Sequence, residues 1–77
     1  MFGSSNIYYG TRSDYVYAVQ TVLISLSYSL GTNWTDYLCD DGTQGAIMDF
    51  QEDQGLTVDG IVRPNTKKAL YYAFINR

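Results

Sequence analysis

The sequence predicts an all-α fold, a compact three-helix bundle with ordered Asp-Gly turn loops between the helices. Three observations support this prediction. Apolar residues recur at helical spacing in three segments, capping and stop residues flank those segments, and 77 residues form one domain with a modest core. A hydrophobic content of 45% indicates a folded rather than a disordered chain.

Residues 1–12 are rich in Gly, Ser, Asn and Tyr and lack any periodicity. We predict an irregular arm there, with Ile7, Tyr8 and Tyr9 folding back onto the body. The folded domain is then expected over residues 13–77.

The first helix is predicted over residues 13–28. Ser13 suits the N-cap position, because its hydroxyl accepts a backbone N–H of the first turn. The following apolar residues are 3, 4, 3 and 4 positions apart, so they share one helical face: Val16, Val19, Leu23, Leu26 and Leu30. Val22 and Tyr28 lie off this face, and Gly31 ends the run.

The second and third helices are predicted over Thr43 to Gln54 and Asn65 to Ile75. The inward face of the second is expected to hold Ala46, Ile47 and Phe50. The inward face of the third is expected to hold Ala69, Leu70, Ala73 and Phe74. Lys67, Lys68 and Tyr71 or Tyr72 are expected on its exposed side.

The segment between these two helices is predicted to contain the end of the second helix, a turn and the start of the third helix. Gly55 tolerates the left-handed conformation that ends a helix, and Asp59-Gly60 is a turn dipeptide. Pro64 suits a helix start, with Asn65 or Thr66 as the expected cap. The apolar residues of the segment are expected to pack inward: Leu56, Val58, Ile61 and Val62.

Charge is distributed unevenly along the chain. The net charge is −3, which argues against nucleic-acid binding, because that needs a basic face. Seven of the eight acids lie from Asp36 to Asp59, and four of the five bases lie from Arg63 onward. The start of the chain lacks the basic and apolar runs of a signal peptide, and no stretch is apolar enough for a membrane span. Neither a membrane nor a nucleic acid is therefore an expected partner.

Catalytic chemistry is poorly supported by the residues present. Histidine is absent and Cys39 is the single cysteine, which excludes a Cys–His pair, a zinc site and an internal disulfide. Asp36, Asp40 and Asp41 leave a calcium site open, although their spacing is not that of an EF-hand. The prediction is a protein that is not an enzyme and has no metal or cofactor.

Several blocks of residues match one known family. Val16, Val19, Gln20 and Leu23 fit the pattern of its first helix, and Thr43, Ala46, Ile47, Phe50 and Gln51 fit its second. The last block fits almost position by position: Gly55, Leu56, Asp59, Gly60, Ile61, Val62, Pro64, Thr66, Ala69 and Leu70. Over about residues 13–74 the chain resembles the peptidoglycan-binding domain of the three-helix type, found on bacterial and phage cell-wall hydrolases.

The chain departs from the family pattern in two loops. In the first, Tyr37 stands where the family has Gly, and the 31–42 connector carries extra aromatic residues that include Trp34. In the second, Arg63 stands where the family has Gly. Both loops border the groove that the family is thought to use for muropeptides, so these changes bear on the ligand more than on the fold.

The resemblance implies non-catalytic binding of peptidoglycan that targets an associated cell-wall hydrolase, such as a phage endolysin. We expect Trp34, Tyr37 and Tyr28 to stack on sugars, and Arg63 and Lys67 to pair with carboxylates. Each has a structural alternative, such as an ion pair of Arg63 with Asp59. The alternative function is a protein-interaction or regulatory domain that keeps the fold but not the wall ligand.

Overall fold

The three-helix prediction is confirmed. The computed structural model describes residues 6–30 and 37–76, which form α1 (Asp14–Ser25), α2 (Asp41–Asp53) and α3 (Pro64–Ile75). Helix α1 packs against both other helices. Within the described ranges there is no helix long and apolar enough to cross a membrane.

Two helices begin with a side-chain cap. Ser13 caps α1 as predicted, with its Oγ accepting the Val16 N–H at 3.4 Å. Helix α2 begins at Asp41 rather than Thr43, because Asp40 is the N-cap and accepts the Thr43 N–H at 3.1 Å.

The predicted cap of the third helix was wrong. Helix α3 begins at Pro64, and Arg63 occupies the N-cap position without a capping side-chain bond. Proline at the first helical position loses no hydrogen bond, since the N–H there has no intrahelical partner. Thr66 therefore lies within α3 and does not cap it.

Helices α1 and α2 end in the same motif. After α1, the Tyr28 N–H bonds the Leu23 carbonyl and Ser27 has a φ of 73°. After α2, the Leu56 N–H bonds the Gln51 carbonyl and Gly55 has a φ of 72°. Both are Schellman closures. The first ends α1 three residues before the predicted boundary, because Ser27 supplies the left-handed residue that we expected only of glycine.

The core lies between the three helices. It contains most of the predicted apolar positions, together with Val22 and Cys39: Ile7, Val16, Val19, Val22, Leu23, Leu30, Cys39, Ala46, Ile47, Phe50, Val62 and Leu70. Val22 was predicted off the buried face but is 7% exposed. Val58 was predicted to pack inward, yet it is 45% exposed at the tip of its turn.

The N-terminal arm contacts both interhelical connectors, as the predicted fold-back requires. Ile7 forms an antiparallel bridge with Val62, with N–O distances of 3.2 and 2.7 Å, and its side chain is buried. Arg12 forms a second antiparallel bridge with Leu38. We refer below to connector one (residues 26–40, described at 26–30 and 37–40) and connector two (residues 54–63). The arm therefore pairs with both connectors.

Candidate functional site

Connector two is organised around the buried side chain of Gln51. Its Oε1 accepts the N–H groups of Asp59 and Gly60 at 3.1 and 3.0 Å. Its Nε2 lies 2.9 Å from the Ile61 carbonyl, 3.1 Å from an Asp59 carboxylate oxygen and 3.2 Å from the Thr66 hydroxyl. One side chain thus fixes the whole turn, as the sequence predicted for Gln51.

Asp59 shapes the turn and positions Arg63. Its Oδ1 accepts the Ile61 N–H at 2.9 Å, and its Oδ2 accepts Arg63 Nε at 2.8 Å. The bond from Arg63 and the bond from the Ile61 amide lower the pKa of Asp59 to about 2. The Arg63 side chain is nevertheless 53% exposed, so its guanidinium is oriented but remains open to solvent.

Arg63 lines a small pocket. The pocket has a volume of about 70 Å³, and its wall includes Thr57, Asn65 and Thr66. A larger open groove of about 540 Å³ shares Leu56 and Asn65 with it. That groove follows α3 and is also lined by Gln54, Lys68, Tyr72 and Asn76. The small pocket and the larger groove together form one surface, which we call the α3 groove. This surface carries cations, amides and an aromatic ring.

Connector one is organised around a second buried glutamine. Gln20 Nε2 lies 3.0 Å from the Leu38 carbonyl and 2.9 Å from the Thr43 hydroxyl. Gln20 Oε1 accepts the Tyr37 N–H at 3.3 Å. The predicted role of Gln20 in holding loop backbone is therefore confirmed.

Tyr37 adopts a backbone conformation that is unusual for a residue with a side chain. Its φ is 69°, and its carbonyl accepts the Ser13 N–H at 3.0 Å. Its ring stacks on Tyr17 of α1, with centroids 4.7 Å apart and planes 24° from parallel. Tyr17 and Tyr37 are 40% and 44% exposed as whole residues. Tyr17 and Tyr37 therefore form a stacked aromatic pair that is partly exposed to solvent.

Comparison with known proteins places the chain in a family. The model of the family described as "Putative peptidoglycan binding domain" matches residues 12–70. The chain belongs to this family. Among solved structures, this peptidoglycan-binding-family domain is similar to the SleB N-terminal domain, with a TM-score of 0.89 and 31% identity over 96% of this chain and 99% of that one.

A second solved structure shows the same fold inside a longer protein. It is a peptidoglycan-binding protein from Clostridioides difficile in complex with glutamine hydroxamate, with a TM-score of 0.79 and 31% identity. The match covers 87% of this chain but 40% of that one. No curated protein sequence matches the chain.

The predicted site residues fall into separate parts of this peptidoglycan-binding-family domain. Arg63 borders the α3 groove, whereas Tyr37 belongs to the aromatic pair on connector one. Tyr28 lies elsewhere: its hydroxyl donates to Asp53 at 2.6 Å, and its ring meets Phe50 edge-on at 5.8 Å. Burial and the nearby Asp53 carboxylate raise the pKa of Tyr28 to about 12. Trp34 lies outside the described residues.

The predicted exposure of Lys67 was wrong. Lys67 is only 9% exposed, because it is on the same side of α3 as the buried Thr66 and Leu70. Lys68, one position along the helix, lines the α3 groove instead. The ligand-binding role of Lys67 stays a prediction.

Sequence reasoning missed three residues at these surfaces. Tyr72 and Lys68 were assigned to an exposed face, but the groove beside that face has no signature in the sequence. Tyr17 was not singled out at all. Its only signal is its place on the exposed side of α1 with Asp14 and Thr21, at spacings of three and four.

Two features of the described residues bear on thiol reactivity and on metal binding. Cys39 is fully buried, and burial followed by the nearby Asp40 charge raises the pKa of its thiol to about 11. The reactive thiolate is therefore disfavoured. Across residues 6–30 and 37–76, no group of three or more acidic, Cys or His side chains is arranged to hold a metal ion.

Proposed function

We propose that this chain is a non-catalytic module that binds peptidoglycan at the bacterial cell wall, with the muropeptide in the α3 groove. The observation that carries the proposal is the placement of Arg63. Asp59 holds Nε at 2.8 Å, which orients the guanidinium at the edge of the pocket. The Nη atoms of the same fork suit a bidentate carboxylate, and the stem peptides of peptidoglycan carry free carboxylates.

The remainder of the groove matches the other parts of such a ligand. Asn65 and Asn76 supply amides that can both donate to and accept from peptide groups. Lys68 supplies a second cation, and Tyr72 supplies an aromatic surface with a hydroxyl at its edge. A ligand with polar peptide groups and flat sugar faces uses all of these features.

The binding test compares retention on purified peptidoglycan sacculi. Arg63→Ala should reduce retention about tenfold, because a charge-assisted hydrogen bond to the ligand is removed. Arg12→Ala is the charge-matched control, since Arg12 is exposed on the arm beside connector one. Sacculi stripped of teichoic acids separate peptidoglycan from other wall polymers. Failure of the unaltered chain to be retained on either preparation contradicts the proposal.

The absence of catalysis is tested on the same sacculi. A binding module should release no soluble muropeptides during long incubation, which chromatography of the supernatant measures. Release that scales with protein concentration would contradict a non-catalytic role.

We also propose that the module targets a cell-wall hydrolase, such as a phage endolysin, to its substrate. The support is that the same fold forms only part of the longer Clostridioides difficile chain. Fusion of this chain to a hydrolase domain without its own wall-binding module should speed the lysis of wall suspensions. An Arg63→Ala fusion is the matched control. Equal rates for both fusions and the bare hydrolase contradict targeting.

A second candidate function is a protein-interaction or regulatory domain. The favouring observation is the large exposed area of tyrosine, since Tyr8 and Tyr9 are each 56% exposed and Tyr72 is 53% exposed. Tyrosine is enriched at protein interfaces. A one-to-one protein complex combined with loss of sacculus binding would favour this function, whereas a monomer that binds sacculi argues against it.

A further inference from the structure

We propose that Tyr17 and Tyr37 form a second subsite, which stacks against a neutral sugar ring of the glycan strand. The inference rests on the proposed function and assigns a ligand class to a surface outside the α3 groove. The α3 groove then binds the peptide carboxylates, and the tyrosine pair binds the glycan strand.

The geometry of the pair suits a flat ligand. The two rings lie 4.7 Å apart and 24° from parallel, so each supports the other. The two residues remain 40% and 44% exposed, so the pair is accessible from solvent. Tyrosine offers an apolar face for the C–H groups of a sugar and a hydroxyl for its polar edge.

The backbone at Tyr37 gives a second, independent observation. A φ of 69° is unfavourable for any residue that has a Cβ, and glycine would adopt it freely. The loop is held in this conformation by the Tyr37 N–H, which donates to Gln20 Oε1, and by the Tyr37 carbonyl, which accepts the Ser13 N–H. A bulky aromatic residue at such a position costs stability, and strain of this kind is concentrated at functional sites. In return for this loss of stability, the chain presents an exposed aromatic ring at Tyr37.

Charge around the pair selects against an anionic ligand. Asp14 is exposed three residues before Tyr17 on the same helix, and Asp41 is exposed at the start of α2 after connector one. Among the described residues within five positions of either tyrosine, Arg12 is the one exposed base against these two exposed acids. Carboxylates accept hydrogen bonds from sugar hydroxyls but repel the carboxylates of stem peptides. A neutral sugar is therefore the favoured occupant.

The arm links the two connectors that carry the subsites. The arm joins connector two at Ile7 and connector one at Arg12. Five residues span at most about 18 Å, so the separation of the two bridges has that upper bound. Simultaneous contact with one strand raises the effective affinity of each weak site.

The test uses a variant that removes the ring without disturbing the backbone. Tyr37→Gly suits the left-handed φ, so its melting temperature should equal or exceed that of the unaltered chain. Its affinity for a neutral, peptide-free probe, a hexamer of N-acetylglucosamine, should fall about fivefold or more, and Tyr17→Ala should match it. Titration followed by NMR measures the affinity. Ser27→Gly is the control for the backbone, and Tyr8→Ala is the control for an exposed tyrosine.

The outcomes separate the inference from the proposed function. Unchanged hexamer binding by both Tyr17→Ala and Tyr37→Gly would overturn the tyrosine subsite, while Arg63-dependent retention on sacculi would leave the proposed function intact. Retention on intact sacculi with no hexamer binding by the unaltered chain would also overturn the subsite alone. No retention of the unaltered chain on sacculi would overturn both.

Discussion

The two connectors share one plan, the same arrangement of closures, hydrogen bonds and bridges, which they build from different residues. Each starts with a Schellman closure, receives hydrogen bonds from a buried glutamine, and bridges the arm. Gln20 bonds the hydroxyl of Thr43 in α2, and Gln51 bonds the hydroxyl of Thr66 in α3. The helix-and-loop arrangement therefore occurs twice in the chain.

The difference lies in the left-handed positions. Connector two uses glycine at both, with φ of 72° at Gly55 and Gly60. Connector one places Ser27 and Tyr37 at the corresponding points, with φ of 73° and 69°. The backbone path is thus imposed by the glutamine and by the closure bonds, while glycine only lowers its cost, by about 1–2 kcal/mol per residue.

The largest expected effect comes from removing a central glutamine. Gln51→Ala should lower the free energy of unfolding by about 3 kcal/mol, because the Gly60 N–H, the Ile61 carbonyl and the Thr66 hydroxyl lose a partner together. Gln20→Ala should cost about 2 kcal/mol for the same reason. Denaturant melts measure both.

The exposed Gln54, at the C-cap of α2, gives a matched control for these changes. Gln54→Ala should change stability by less than about 0.5 kcal/mol. If Gln20→Ala behaved like this control, the shared plan of the two connectors would be refuted.

A smaller effect is expected at the left-handed glycine of connector two. Gly60→Ala should cost about 1–2 kcal/mol, because φ is 72° and a Cβ would lie 2.9 Å from Cγ of Gln44. Gly45→Ala is the control, since Gly45 lies within α2 with nothing within 4 Å of an added Cβ. It should gain about 0.5–1 kcal/mol. Equal thermal shifts for the two variants would contradict this account of strain.

The smallest effect concerns the ion pair between Asp59 and Arg63 of connector two. Arg63→Ala should change stability at neutral pH by less than about 1 kcal/mol, because the pair is partly exposed. The pH profile is more informative. The pKa of Asp59 falls from 3.8 to about 2 on folding, so its contribution is present above about pH 4 and is lost as the pH falls toward 2.

Acid unfolding curves test this assignment. Arg63→Ala should weaken the loss of stability between pH 4 and 2, because the main cause of the low pKa of Asp59 is removed. Lys68→Ala, which removes an exposed cation within α3, should retain the profile of the unaltered chain. A steep profile in Arg63→Ala would assign the acid dependence to other carboxylates.

The parts of the fold that follow from periodicity and turn chemistry were predicted well. The buried faces of α1 and α2 follow from helical spacing, and the Asp59-Gly60 turn follows from its residue types. The end of α1 was not predictable, because serine at a left-handed position carries no local signal. Tertiary hydrogen bonds decide that conformation.

The candidate site was predicted only in part. Arg63 stood out because it replaces a family glycine, and the structure places it at a pocket. The pairing of Tyr17 with Tyr37 joins residues 20 positions apart, so no local pattern shows it. The burial of Lys67 depends on the rotation of α3 against the core, which weak periodicity in that helix does not fix.

The N-terminal arm limits where this domain can be truncated. The family match begins at residue 12, yet Ile7 is 1% exposed within the core and its backbone pairs with Val62. A fragment trimmed to the family boundary would leave a side-chain-sized hole in the core and would leave the backbone N–H and carbonyl of Val62 without their Ile7 partners. Any hydrolase grafted to the N-terminal side should therefore be joined before residue 6, so that the arm keeps its place in the fold.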